Sequence, residues 1–415
     1  MNEFTICYDS KNGYNKNKNP KSGGGHMKYR INPKNQDQLS TLGFGCMRFN
    51  RDEKEVEKQI IYAIEHGVNY FDTAYIYPNS EVILGRVLSK GYRDRVNIAT
   101  KMPPHTIKKY EDFDKIFLTE LERLQTDYID YYLIHMLPDT TVWNRLIKLG
   151  INEWIEEKKK KGQIRNIGFS YHGGRDEFIR LVDIYPWEFC LLQYNYLDEN
   201  RQAGIEGIRY ASSKGLPVMV MEPLRGGKLV TNLPKEVKSI WDNAPVKRSP
   251  AEWAFKWLWN QPEVTVVLSG MNSMEMLKEN IRVASETEVN AFTDADFNLF
   301  KQVKEILDQT IKVPCTGCNY CMPCPKGVDI PTCFSCYNDM EIEGKLASRG
   351  KYIMQTSIKN QPRNASLCVK CKKCESHCPQ HIKISEEMTQ VAKSMEGVYY
   401  KPLRFLIKKV MRFDK

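Results

Sequence analysis

The chain has 415 residues, 27% of them charged, and a formal charge of +10. That length holds one large core and a small second unit, and the even composition argues against a disordered, collagenous or disulfide-scaffold class. No apolar run is long enough to cross a bilayer, no secretory leader opens the chain and no basic stripe is interleaved with aromatics, so a cytoplasmic protein without a nucleic-acid partner is expected.

Residues 1–26 are rich in Asn, Lys and Gly and have no apolar period. They read as a disordered extension, or as a mis-assigned start with Met27 as the true first residue. Short apolar runs then alternate with helical patterns. The predicted strands are Leu39–Met47, Val68–Thr73, Val96–Lys101, Tyr128–His135, Ile164–Ser170, Phe189–Asn195, Pro217–Glu222 and Thr265–Ser269. Helical period falls between them, as in Val56–Glu65, Phe113–Leu124 and Ala251–Trp259. Strand and helix in strict alternation predict an α/β fold, a (β/α)8 TIM barrel over residues 27–292. An open doubly wound sheet is the lesser alternative, because no G-x-G-x-x-G follows the first strand. Asp294–Lys312 reads as a linker helix (residues 293–312) with Phe297, Phe300, Val303 and Leu307 on one face. Residues 313–396 form a cysteine-rich unit. In the tail, 397–415, Leu403, Leu406, Ile407, Val410 and Met411 share a helical face beside basic residues. Packing of that face on the barrel is expected ahead of docking on a membrane surface or a partner.

Four polar residues fall at or just past consecutive strand ends: Asp72, Tyr77, Lys101 and His135. Each alone has a scaffold explanation; together they suit carbonyl reduction, which needs hydride at carbon and a proton at oxygen. A free phenol, with a pKa of about 10, is a weak acid at neutral pH. An ammonium at Lys101, held by Asp72, would lower it, and His135 would bind the substrate oxygen or relay the proton.

The segments FDTAYIYPNSE, IATK and LIH, with the opening strand GFGCMRF, resemble the aldo/keto reductases over roughly residues 39–284. The resemblance implies Asp72, Tyr77, Lys101 and His135 as the catalytic set and NAD(P)H across the barrel mouth, with NAD against NADP unresolved. It further implies that Ser170 and Gln193 hold the carboxamide, and that Leu224, Arg225, Gly226, Ser269, Gly270 and Asn280 line the pyrophosphate and adenosine. Tyr171 and Met221 stand where the family usually has Asn and a stacking aromatic.

Ten of the thirteen cysteines lie between Cys315 and Cys378. Cys315, Cys318, Cys321 and Cys324 read C-x2-C-x2-C-x2-C-P. Cys368, Cys371, Cys374 and Cys378 read C-x2-C-x2-C-x3-C-P, the ferredoxin spacing. Two [4Fe–4S] clusters with crossed ligation are expected: Cys315, Cys318, Cys321 and Cys378 on one, Cys368, Cys371, Cys374 and Cys324 on the other. Zinc is the minor alternative. Cys333 and Cys336 are expected to pack rather than ligate. The whole resembles aldo/keto reductase-type oxidoreductases with a C-terminal ferredoxin-like iron–sulfur domain.

Three functions follow. The first is a nicotinamide-dependent carbonyl reductase acting on a small molecule, with clusters structural or wired to a ferredoxin or other electron-transfer protein. The second is a flavin- or ferredoxin-coupled oxidoreductase fed by the clusters, with FMN at the mouth. The third is a redox-sensing or docking protein with a vestigial barrel.

Overall fold

The computed structural model describes residues 26–357 and 361–410, so most of the N-terminal extension and the last five residues lie outside the described residues. Two short antiparallel strands, β1 (Tyr29–Ile31) and β2 (Gln38–Ser40), come first. Eight parallel strands follow: β3 (Leu42–Gly45), β4 (Tyr70–Asp72), β5 (Asn97–Met102), β6 (Ile129–Ile134), β7 (Ile164–Tyr171), β8 (Phe189–Gln193), β9 (Val218–Met221) and β10 (Val264–Ser269). Each pairs with the next, and β10 returns to β3 through Val267 opposite Leu42, which closes the barrel. Every barrel strand falls within or beside a run read from the sequence, because a strand buried on both faces is nearly continuous in apolar residues.

One expectation needs correction. The run Leu39–Met47 is two strands, not one: Ser40 and Thr41 turn the chain, β2 pairs back on β1, and only Leu42–Gly45 enters the barrel. The β1–β2 hairpin closes the barrel floor. Asn32 Nδ2 donates to Tyr131 Oη at 3.2 Å, and that hydroxyl donates to Asp37 at 2.8 Å.

Tyr70, Ala99, Tyr131, Leu133, Phe189, Leu191, Met219, Val266 and Leu268 fill the interior in layers, so the barrel is a packed core and not a pore. Chemistry is left to the C-terminal mouth. Outside, the helices bury one stripe each. Glu53–Glu65 buries Val56, Ile60, Ala63 and Ile64, and its first turn is capped by Asp52, whose carboxylate accepts from the Lys54 amide. The helix Asp294–Thr310 belongs to the barrel's core as well as linking onward, since Phe300 packs on Tyr196, Trp241, Trp253 and Phe292.

The cysteine-rich unit has its own small core. The helices Ile330–Asn338, Lys345–Thr356 and Ile384–Met395 meet around Phe334, Tyr352, Ile353, Met388 and Val391. Cys333 and Cys336 are buried in that core, Cys333 beside the Tyr352 hydroxyl. The tail helix Tyr400–Val410 packs on this unit through Tyr400 and Leu403, not on the barrel as expected. Arg404 Nε donates to the Ser357 carbonyl at 2.8 Å, while Phe405 and Leu406 face solvent.

Candidate active site

At the mouth the four strand-end residues come together. Asp72 ends β4, Lys101 lies one residue before the end of β5, His135 follows β6 and Tyr77 sits in the loop after β4. Lys101 Nζ donates to Asp72 Oδ1 at 2.5 Å and to the Thr73 carbonyl at 2.6 Å. It also lies 5.2 Å from the centre of the Tyr77 ring. The Tyr77 and His135 rings meet edge to face at 5.9 Å.

Burial pushes the Asp72 carboxyl up against the opposing pull of Lys101. It holds the His135 imidazole well below its usual value, helped by Lys101, so the ring is neutral. The expected lowering of the Tyr77 phenol by Lys101 is reversed. Its hydroxyl is enclosed, and burial, with Tyr320 and Asp72 adding to it, pushes the group well above its usual value. Lys101 Nζ spends its hydrogen bonds on Asp72 and Thr73. Tyr77 is therefore held protonated in this arrangement.

The mouth is covered by the cysteine-rich unit, a feature no strand-end motif announces. Tyr320, between Cys318 and Cys321, sets its hydroxyl 3.3 Å from Tyr77 Oη and 3.3 Å from His135 Nε2. Thr316 Oγ1 donates to Glu222 at 3.3 Å, and burial pushes that glutamate up to about 7. Gln202 Nε2 donates to the Pro379 carbonyl at 3.2 Å, and His381 Nε2 to the His172 carbonyl at 2.8 Å. Gln380 exchanges amide hydrogen bonds with Gln193. Gly226, at φ +66°, lies so close to Thr316 that an added Cβ would stand 2.0 Å from its carbonyl oxygen.

The residues expected at a nicotinamide thus have partners already. Ser170 Oγ accepts from the Met136 amide at 2.7 Å, and Gln193 is engaged by Gln380 and Gln202. Leu224, Arg225 and Gly226 form a tight turn against Thr316, with Arg225 Nε 3.2 Å from Asp198. Ser269 and Asn280 bond each other at 3.0 Å, with Gly270 beside Arg48. With the unit seated, a nicotinamide reaching Gln193 or the Leu224–Gly226 turn would have to displace Gln380 and Thr316, and the phosphate of FMN would meet the same obstruction at that turn.

The eight motif cysteines separate into two groups. Cys315, Cys318, Cys321 and Cys378 line one small pocket, walled by Phe334, Ile382 and Ile384. Cys324, Cys368, Cys371 and Cys374 line another, walled by Val328, Ile330 and Met388. Burial pushes Cys315 up to about 11 and Cys318 up to about 12, so these sulfurs stay protonated unless a bound cation holds them as thiolates. Among the described residues no three His, Cys, Asp or Glu side chains converge as ligands of a single ion.

A closed parallel barrel whose C-terminal mouth gathers Asp, Tyr, Lys and His is the frame of a barrel oxidoreductase. Residues 41–305 match the model of the aldo/keto reductase family, and the chain belongs to that family. It is similar to a probable aldo-keto reductase of Glycine max, 27% identical over 59% of this chain and 80% of that one. It is 24% identical to an NADH-specific methylglyoxal reductase of Escherichia coli, over 60% of this chain and 87% of that one. A solved aldo-keto reductase from Bacillus halodurans in its holo form superposes with a TM-score of 0.55 at 27% identity, over 67% of this chain and 96% of that one. The family match ends before the cysteine-rich unit begins. Among the described residues, no helix is long and apolar enough to cross a membrane.

Proposed function

We propose that the protein reduces an aldehyde or ketone, or oxidises the corresponding alcohol, with Tyr77 exchanging the proton at the substrate oxygen. The observation that carries this is the buried Asp72–Lys101 pair over the Tyr77 ring, with His135 edge to face against the same ring. Carbonyl reduction takes up two electrons and two protons. Tyr77, protonated and enclosed, gives one proton to oxygen; His135 holds the same oxygen by a hydrogen bond; Lys101 fixes the electrostatics over the ring. Family membership makes NAD(P)H the expected donor, and a bound nicotinamide would supply hydride to the carbon.

The cysteine-rich unit is proposed to carry two [4Fe–4S] clusters, one on Cys315, Cys318, Cys321 and Cys378, the other on Cys324, Cys368, Cys371 and Cys374. The grouping of the thiols around two separate cavities supports this. A mononuclear zinc site, with Zn–S near 2.3 Å, would need tighter convergence. When bound, such clusters supply single electrons. The seating of the first cavity's loop on the tetrad favours the second reading, in which two electrons would enter one at a time from the clusters and the second proton, at carbon, would come from water. Exposed Lys326, Lys370, Lys372 and Lys373 flank the second cavity, where Cys371 is also exposed. An acidic one-electron carrier such as a ferredoxin is the partner that charge would favour.

The test is Tyr77→Phe in cluster-loaded protein, assayed with methylglyoxal and either NADH or reduced methyl viologen. Turnover is expected to fall by about 10²–10⁴-fold, the range for loss of a general acid, with the cluster EPR spectrum unchanged. Full activity in the variant would end the reading.

A further inference from the structure

We propose that the hydroxyl of Tyr320 stands where the substrate's carbonyl oxygen must sit, so that the seated cysteine-rich unit and a carbonyl substrate exclude each other at the barrel mouth. The inference rests on reading Tyr77 and His135 as the pair that binds that oxygen. An oxygen about to take a proton lies within hydrogen-bond reach of its donor and of the group that steadies it. Among the described residues, Tyr320 Oη meets both conditions, 3.3 Å from Tyr77 Oη and 3.3 Å from His135 Nε2. Tyr77 and His135 share no direct hydrogen bond in this arrangement; the Tyr320 oxygen bridges them. The occupant belongs to neither the barrel nor its loops. It hangs from the turn between Cys318 and Cys321, where Asn319 takes φ +67° and turns the chain toward the mouth.

The exchange is matched. A substrate oxygen entering as Tyr320 leaves accepts from the Tyr77 hydroxyl and from His135 Nε2–H, so Tyr77 Oη and His135 Nε2 keep a partner in either state. The seat is held by polar contacts: Thr316 on Glu222, Gln380 on Gln193, Pro379 on Gln202 and His381 on His172. Polar contacts between units of one chain can be exchanged for water, and relative motion is the default for such interfaces. The ligand class is a small aldehyde or ketone. The Tyr320 phenol, an oxygen on a planar sp2 carbon, serves as its internal stand-in.

The experiment is calorimetric titration of isobutyramide, an unreactive carbonyl compound, into oxidised cluster-loaded protein. Tyr320→Phe is expected to bind about tenfold more tightly than the parent, the size of one competing hydrogen-bonded occupant removed. Tyr320→Ala, which removes the ring as well, is expected to bind at least as tightly. Tyr77→Phe added to Tyr320→Phe is expected to cancel the gain. Dithionite-reduced EPR spectra identical across the set show that the unit keeps its clusters. Equal or weaker binding in Tyr320→Phe and Tyr320→Ala, or no binding in any variant, overturns the proposal. Failure of the tetrad reading has a different signature, namely turnover that survives Tyr77→Phe.

Discussion

Replacing Lys101 by methionine removes the cation from a buried pair and should unfold the protein more readily. The Lys101 and Asp72 side chains are 2% and 7% exposed, with Nζ 2.5 Å from Oδ1. Asp72 Oδ2 has no hydrogen-bond partner, so the ammonium is what offsets burial of the carboxylate. Methionine fills most of the lysine stem's volume, which keeps the cavity contribution small. The stranded carboxylate must then stay ionised unaided or take up a proton, and a loss of about 3–5 kcal/mol is expected for breaking such a pair. Asp72→Asn strands Lys101 and should cost a similar amount. The double variant removes both charges and should return to within about 2 kcal/mol of the parent, because the two losses share one cause. Urea unfolding followed by tryptophan fluorescence under argon reads the barrel transition in all four proteins. All three variants should lack turnover, which separates folding from chemistry. A single variant that loses less than about 1 kcal/mol, or a double variant no more stable than the singles, would refute the electrostatic argument.

Two further outcomes follow from the geometry. Cys378→Ala and Cys318→Ala should each remove the same one of two EPR signals, leaving about four of about eight irons, whereas Cys324→Ala should remove the other; loss of one signal by Cys378→Ala together with Cys371→Ala would break the crossed assignment. His172 is held at about 4, chiefly by burial and then by His381. A depressed imidazole binds fewer protons folded than unfolded, so its contribution is fully present above about 6.5 and is lost as pH falls toward about 4, by up to about 3 kcal/mol. Thermal unfolding from pH 7.5 to 5 should show a slope that His172→Gln flattens; an unchanged slope would count against it.

The barrel was legible because each strand is a short apolar run with a polar residue at its end, as in Phe71–Asp72 and Ile134–His135. The floor hairpin was not, since β1 and β2 are only three residues long, too short for their alternation to stand out. Leu39 was absorbed into the next strand because it too points into the barrel interior. The crossed division of the cysteines is what the ferredoxin-type runs imply, since the fourth cysteine of each such run commonly serves the other cluster. Tyr320, Gln380 and Thr316 left no signal, because their role exists only once a second unit lies on the barrel, and no periodicity encodes that contact. The direction of the Tyr77 shift was hidden for the same reason: after burial, Tyr320 and Cys318 of the covering unit both add to the rise. The tail helix has an apolar face, but sequence does not say which unit it faces.

The cysteine-rich unit sits on the mouth of an aldo/keto reductase barrel, and the proposal that matters most is that this unit bears iron–sulfur clusters. Anaerobic EPR of reconstituted protein, titrated with NADH, then NADPH, then dithionite, tests it most directly. The account predicts silence with both nicotinamides while the unit is seated, followed on dithionite by two magnetically interacting [4Fe–4S]+ signals. A protein that takes up no iron and stays silent with dithionite, or whose clusters are reduced at once by NADH, would contradict it.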